Sequence, residues 1–202
     1  MSVDARREEL LDAALAVASG GDLLAVSVAD IAAHAGVSEG LLYHYWPNKQ
    51  ALIAAAVGRA AADLLGTLQQ AEAGGSAAQT LASAVDAYLA HVQAQPTEWR
   101  ALLAARTGEA GAVAQEVERL SHAFILTTLG VDAPSPGLLV ALAGWSAFER
   151  DACPAWLDRP EFDAAHLRDL LLSTFTAALT SLAEHDPAAG SALARLKTPA
   201  SR

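Results

Sequence analysis

The sequence predicts an all-α fold of about nine helices, and three observations carry that expectation. The 202-residue chain holds 49 Ala and 30 Leu against 12 Val and 3 Ile, a usage that favours helix over strand. Apolar residues recur at three- and four-residue spacing, with no strand-like alternation and no fixed-period repeat. Between these stretches stand Gly, Pro and capping residues, where helices stop and start.

The first helix is expected from about Asp4 to Ser19, with Leu11, Ala14, Leu15 and Ala18 on one stripe and Gly20-Gly21 as its stop. Ser27 to Asp30 reads as a capping box that opens a short second helix, which Gly36 ends. Ser38 can cap a third helix, and Pro47 bars it beyond Trp46. Asn48 can cap a long fourth helix to about Gln70, followed by a linker at Ala73-Gly74-Gly75. Ser76 to Gln79 is a second capping box, opening a helix with Leu81, Val85, Tyr88, Leu89 and Val92 that ends before Pro96. Two amphipathic helices follow, one carrying Trp99 and ending near Gly108, the other carrying Phe124 and ending near Gly130. Ser135-Pro136 starts a helix that Pro154 should end or kink, and Asp163 caps the last long helix, to about Glu184. This gives an N-terminal unit of three helices over residues 1–48, a connecting helix and linker over 49–75, a second domain over 76–186 and a mobile tail over 187–202.

Cys153 stands alone, so neither an intrachain disulfide nor a cysteine metal cluster can form. The charged stretch Asp4 to Glu9 does not suit a signal peptide, and the longest uncharged apolar run, Leu138 to Phe148, is too short for a membrane span. A cytoplasmic protein without a membrane partner is the expectation. The net charge of −10 argues against a non-specific nucleic-acid coat.

Three short helices in the first 50 residues, the second and third separated only by Gly36-Val37, form a helix-turn-helix. Such a module sets the N-terminal part of its exposed helix against base edges, here Ser38, Glu39, Gly40, Leu41 and His44. Glu39 can accept from a cytosine amino group, and Leu41 can lie on a thymine methyl. Glu39 also suits a helix N-terminus without any DNA, and Tyr43, Tyr45 and above all Trp46 fit a small core. Residues 42 and 46 share one face while 43 projects away from it.

The stretch from Val28 to Leu52, with Ala35-Gly36-Val37-Ser38 and Gly40-Leu41-Leu42-Tyr43-His44-Tyr45-Trp46-Pro47-Asn48-Lys49 inside it, closely resembles the DNA-binding signature of the tetracycline-repressor (TetR) family of bacterial transcriptional regulators. Trp46 stands where the family usually has Phe, and Asn48 where it often has Ser. The close resemblance covers roughly residues 8–58, about a quarter of the chain. It implies that Ser27, Tyr43, Tyr45 and Lys49 hold phosphates, that the second domain binds a ligand and dimerises, and that the protein represses transcription. The expected partners are double-stranded DNA at a palindromic operator, a small-molecule effector and a second copy of the chain.

Nothing in the second domain resembles a catalytic site: there is no phosphate-cradling Gly-rich loop, and Cys153 has no His nearby in sequence. No enzyme activity, cofactor or metal is expected. Bulky Trp99, Phe124, Trp145, Phe148 and Trp156 stand among many Ala, which fits either plain core or a space between helices for an apolar or aromatic effector. The ligand set expected on the second reading is Tyr88, Trp99, His122, Phe124, Trp145, Phe148 and Glu149, with Glu149 or His122 as polar anchor and a neutral or cationic molecule favoured over an anion. His91 and Arg106 fit surface positions. Leu170, Leu171 and Leu172 are consecutive and face different ways, so one set can line a twofold interface, expected at Leu171, Phe175 and Leu182.

Residues 1–50 hold three basic and seven acidic side chains, a net −4. Few phosphates can be neutralised per subunit, which makes a dimer part of the hypothesis. The same imbalance supports an alternative, an all-helical small-molecule-binding or protein-interaction module with decayed DNA binding.

Overall fold

The computed structural model describes residues 3–18, 25–70 and 75–199. The stop expected at Gly20-Gly21 and the linker residues Ala73-Gly74 lie outside the described residues. Among the described residues the fold is all-α, with ten helices: α1 (Val3–Val17), α2 (Val28–His34), α3 (Glu39–Tyr45), α4 (Lys49–Gln69), α5 (Ala77–Ala94), α6 (Pro96–Ala104), α7 (Gly108–Thr128), α8 (Pro136–Leu157), α9 (Ala164–Ala183) and α10 (Pro187–Lys197).

The chain forms two compact units, Met1–Gly66 with Gln95–Val117, and Thr67–Ala94 with Glu118–Arg202. The first therefore takes in α6 and the start of α7, a long-range association that the linear division at residues 48 and 75 does not contain. Its buried residues include Leu10, Leu11, Ala14 and Leu15 of α1, Ile31 and Ala32 of α2, Leu42 of α3, and Ile53, Ala56 and Val57 of α4. α6 packs on α1 and buries Trp99 and Leu102. Arg59 of α4 joins these helices: its guanidinium donates to Asp12 of α1 and, at 3.3 Å, to Glu98 of α6, with Glu8 at 3.6 Å. Burial works against the Arg59 charge, but Asp12, Glu98 and Glu8 outweigh it and hold the group above its ordinary pKa. α4 is long and apolar enough by composition to cross a membrane, yet Ala56, Val57, Ala60, Ala61 and Leu64 are buried within the protein, as in a core helix.

In the second unit α9 is central, packed against α5, α8 and α10. Its Phe175 and Leu179 belong to one core with Leu81, Ile125, Leu129, Leu138, Leu142, Ala192 and Leu193. α8 runs through Pro154 to Leu157, where only the last turn remains and few backbone bonds are left to lose. The expected tail over 187–202 is instead largely helical: Asp186 caps α10, Pro187 takes its first position, and Ala189, Ala192 and Leu193 bury one face. Short apolar spacing at a chain end gave no signal of the partner surface that fixes it.

Candidate nucleic-acid interface and interior polar cluster

The turn between α2 and α3 is built by one glycine. Gly36 has φ +65°, a left-handed conformation open to glycine without steric cost. Its N–H bonds the Ala33 carbonyl at 3.2 Å, and the Val37 N–H bonds that of Ala32 at 2.9 Å, closing α2 with the paired bonds of a Schellman cap. α3 starts two residues later.

α3 divides cleanly into two faces. Leu42 and, at its C-cap, Trp46 are buried, whereas Ser38, Glu39, Gly40, Tyr43 and His44 are exposed and Leu41 and Tyr45 are half-buried. The spacing of 42 and 46 thus fixes which side of a two-turn helix faces inward. Ser38 has the extended backbone of an N-cap but makes no side-chain cap bond. Asn48 caps α4 by accepting from the Ala51 N–H at 2.8 Å, and half-buried Lys49 is the first residue of that helix.

Ser27 is already engaged. Its hydroxyl accepts from the Asp30 N–H at 3.1 Å and donates to the Asp30 carboxylate at 2.6 Å, so a phosphate there would meet a carboxylate as well as a hydroxyl. The Tyr45 ring meets His44 edge-on at 5.5 Å and Trp46 at 5.7 Å. Sequence reasoning missed Arg7, whose guanidinium lies 5.6 Å from the Trp46 ring centroid. A contact across 39 positions leaves no local signal.

The residues expected to hold a ligand divide into four groups. Phe124 and Phe148 are exposed, so they do not line an interior space within this chain. Trp145 is half-buried, donates its indole N–H to the Leu171 carbonyl at 2.8 Å and packs on Phe175 at 5.3 Å, which makes it part of the core. Trp99 is buried in the first unit.

Tyr88, His122 and Glu149 remain, and all three enter polar contacts between helices. The Glu149 carboxylate accepts from the Tyr88 hydroxyl of α5 and, at 3.7 Å, from the Cys153 thiol one turn along α8. Burial pushes the Glu149 carboxyl up to about 7, against the pull of Tyr88, Cys153 and the more distant Arg150. The Cys153 thiol is pushed up by burial and by Glu149, so it stays protonated and inert. His122 of α7 shares a hydrogen with the Ser146 hydroxyl of α8 at 2.8 Å, and burial lowers its pKa against Glu118 at 4.0 Å. His91, expected at the surface, is buried against Thr67 at 3.3 Å.

The expected interface positions need correcting. Leu171 and Phe175 are buried within the chain itself and Leu182 is half-buried. Leu170 is exposed, and so are Leu139, Val140 and Phe148 of α8. An open groove of about 870 Å³ runs along the outer side of α9 past Leu172, Ser173, Thr176, Ala177 and Thr180. Sequence shows that three consecutive leucines face different ways, but only the packing of α9 on α5, α8 and α10 decides which is inside.

Residues 10–56 match the family model for bacterial regulatory proteins of the tetR family, and residues 77–178 match the tetracyclin repressor-like C-terminal domain. A curated relative, the HTH-type transcriptional repressor KstR of Mycolicibacterium smegmatis, is 46% identical over 54 residues, or 27% of this chain. The match spans about a quarter (26%) of that relative's length. The crystal structure of a tetR-family transcriptional regulator from Streptomyces coelicolor superposes with a TM-score of 0.82 at 28% identity, covering 97% of this chain and 90% of the other. A transcriptional regulator from Rhodococcus sp. Rha1 shares the fold with a TM-score of 0.72 at 23% identity, over 87% of this chain and 96% of that one.

Proposed function

Since the chain belongs to the tetR family of bacterial regulatory proteins, whose members regulate transcription through a helix-turn-helix DNA-binding domain, we propose that it is a cytoplasmic repressor that binds a palindromic operator as a homodimer and leaves it on binding a small effector. The observation that carries this reading is the two-faced α3, with Leu42 and Trp46 held inside and Ser38, Glu39, Gly40, Tyr43 and His44 outside. Ser38, Glu39, Gly40, Leu41 and His44 face base edges; Tyr43, Tyr45, Lys49 and the start of α4 hold phosphates. Ser27 serves first as the cap of α2. Repression is supported by the name of the KstR relative, matched over the DNA-binding part alone.

Dimerisation is supported by the outer face of α8 and α9. Val140 is 72% exposed and Leu170 42%; Leu139 and Phe148 are exposed as well, and an open groove lies on α9. A twofold copy of the same pair of helices covers such a face and doubles the phosphate contacts of an acidic module. The effector binds in the second unit beside Tyr88, His122 and Glu149, and it acts by preferring one arrangement of the paired DNA-binding units over the other.

Selection of binding sites from random DNA by the purified protein at low salt tests the reading. Recovery of a palindrome is the expected result. Recovery of no motif supports the all-helical module without DNA binding, in line with the net −4 of residues 1–50.

A further inference from the structure

A line of ring contacts runs from the exposed face of α3 to α1. The His44 ring meets Tyr45 edge-on at 5.5 Å, the Tyr45 ring lies 5.7 Å from Trp46, and the guanidinium carbon of Arg7 stands 5.6 Å from the Trp46 centroid. His44 and Arg7, the two ends of this line, are both exposed. A cation of α1 is thus held one ring away from Tyr45, at the residue that leads from α3 into α4. The acidic residues that follow Arg7 in α1 are engaged by other arginines. Glu9 pairs with Arg6 at 2.8 Å, while Glu8 and Asp12 pair with Arg59 of α4. Among the described residues Arg7 has no carboxylate within ion-pair distance, and its N–H groups have no protein acceptor.

We propose that Arg7, held over the Trp46 ring, is a contact to the DNA backbone and engages a phosphate with its open N–H groups; this rests on the DNA-binding reading above. Contact through a ring face uses none of the donors of a guanidinium and leaves its charge uncancelled. Such a group is planar, charged and already placed, which suits the two oxygens of a phosphate. The need for it is plain in an acidic module. Residues 1–50 hold three basic side chains, and Glu9 occupies one of them, Arg6. Arg7 therefore widens the interface from the helix-turn-helix to α1. Because a phosphate carries no sequence information, Arg7 adds affinity on every duplex and no preference among sites.

Fluorescence anisotropy of a labelled mixed-sequence DNA duplex, titrated with the full chain over roughly 25 to 150 mM KCl, tests this without an operator in hand. Arg7→Gln should reduce the slope of log affinity against log salt by about 0.9 per subunit and weaken binding on the order of tenfold. Arg7→Lys keeps the charge and should keep the slope. Arg6→Gln removes an arginine already paired with Glu9 and should also leave the slope as in the wild type. Melting curves of the three variants ensure that folded proteins are compared. An Arg7→Gln protein that melts at a lower temperature but binds with the wild-type slope makes Arg7 a structural contact only and overturns the proposal. An equal fall in slope for Arg6→Gln overturns it as well, since the unpaired state of Arg7 would then count for nothing. A wild type that binds no duplex anywhere in this salt range sinks the DNA-binding reading and the contact together, whereas unchanged binding by Arg7→Gln sinks the contact alone.

Discussion

Ser135 donates its hydroxyl hydrogen to the Asp186 carboxylate, and through that bond two helix N-termini are tied together. Ser135 caps α8 by accepting from the Leu138 N–H at 3.1 Å, while Asp186 caps α10 by accepting from the Ala188 and Ala189 N–H groups at 3.0 and 3.2 Å. Gly137 leaves the room for this. A Cβ there would stand 2.9 Å from the Asp186 carboxylate.

The Ser135 hydrogen bond holds the Asp186 carboxyl below its ordinary pKa, with burial opposing and the Ala188 and Ala189 N–H groups adding to it. A carboxyl depressed in the folded state stabilises the fold above its unfolded pKa, and that contribution is lost as pH falls through the folded one. Asp186→Asn keeps a capping side chain but lacks the charge. The wild type should therefore be the more stable at pH 7, with the gap closing below about pH 4. Urea midpoints at pH 7 and pH 2.5 measure it, and an equal gap at both would refute the assignment.

Trp46 anchors α3 to the core, so Trp46→Ala should cost about 3–5 kcal/mol. Its buried indole N–H has no hydrogen-bond partner, and Trp46→Phe removes that N–H while keeping a ring for Arg7, so its cost should stay below about 1.5 kcal/mol. Arg7→Ala should cost about 0.5–1 kcal/mol. Chemical denaturation gives all three values. A Phe variant as damaged as the Ala variant would mean that the indole is used in some other way.

One step along α9 separates two outcomes. Leu171→Arg buries an unpaired charge and should unfold or severely destabilise the chain, by about 3–5 kcal/mol. Leu170→Arg sits on the exposed side and should leave a folded monomer with weakened operator binding. Sedimentation of both at micromolar concentration checks this, and a Leu170→Arg protein that still dimerises as the wild type does would move the interface away from α9.

Contacts to phosphate and to bases respond differently to substitution. Lys49→Ala should weaken binding to all sites alike, whereas Glu39→Ala or Leu41→Ala should shift preference among sites by about 1–3 kcal/mol. Gly40 is the most specific case. A Cβ there meets nothing closer than the Ser38 Oγ at 3.8 Å, so Gly40→Ala should stabilise the helix by about 1 kcal/mol. It should still weaken operator binding, because bare backbone at that position admits a close approach from outside. Titrations on a panel of sites, together with melting curves, separate the two effects.

The helix-turn-helix was legible because its determinants are local: Ser27 caps, Gly36 turns, and the 42/46 spacing sets the inner face, all within 20 residues. Helix ends at Ser135, Asp163 and Gly130 were legible for the same reason. The placement of Phe124 and Phe148 was not, since the sequence does not distinguish an exposed aromatic from a core one. The α9 inner face and the docking of α10 depend on surfaces far away in the chain, and the ambiguity of Leu170 to Leu172 is rotational, 100° per residue. Glu149 could be named as polar, but its lack of a cationic partner appears only when α5, α7 and α8 are brought together.

The salt-bridge hub at Arg59 makes the DNA-reading half of this protein discontinuous in the gene-to-chain order. Glu98, Trp99 and Leu102 arrive from a segment that begins only after α5 has been threaded through the other unit, and they complete a shell around α1. No single cut can therefore excise a self-sufficient DNA-binding fragment. A piece ending at residue 75 would carry Arg59 with one of its three acidic neighbours missing and α1 stripped of the surface that α6 covers. Domain exchange between relatives at the linker would carry the same defect. A working chimera of this chain needs three junctions, near residues 66, 94 and 117, so that α6 travels with the helices it seals.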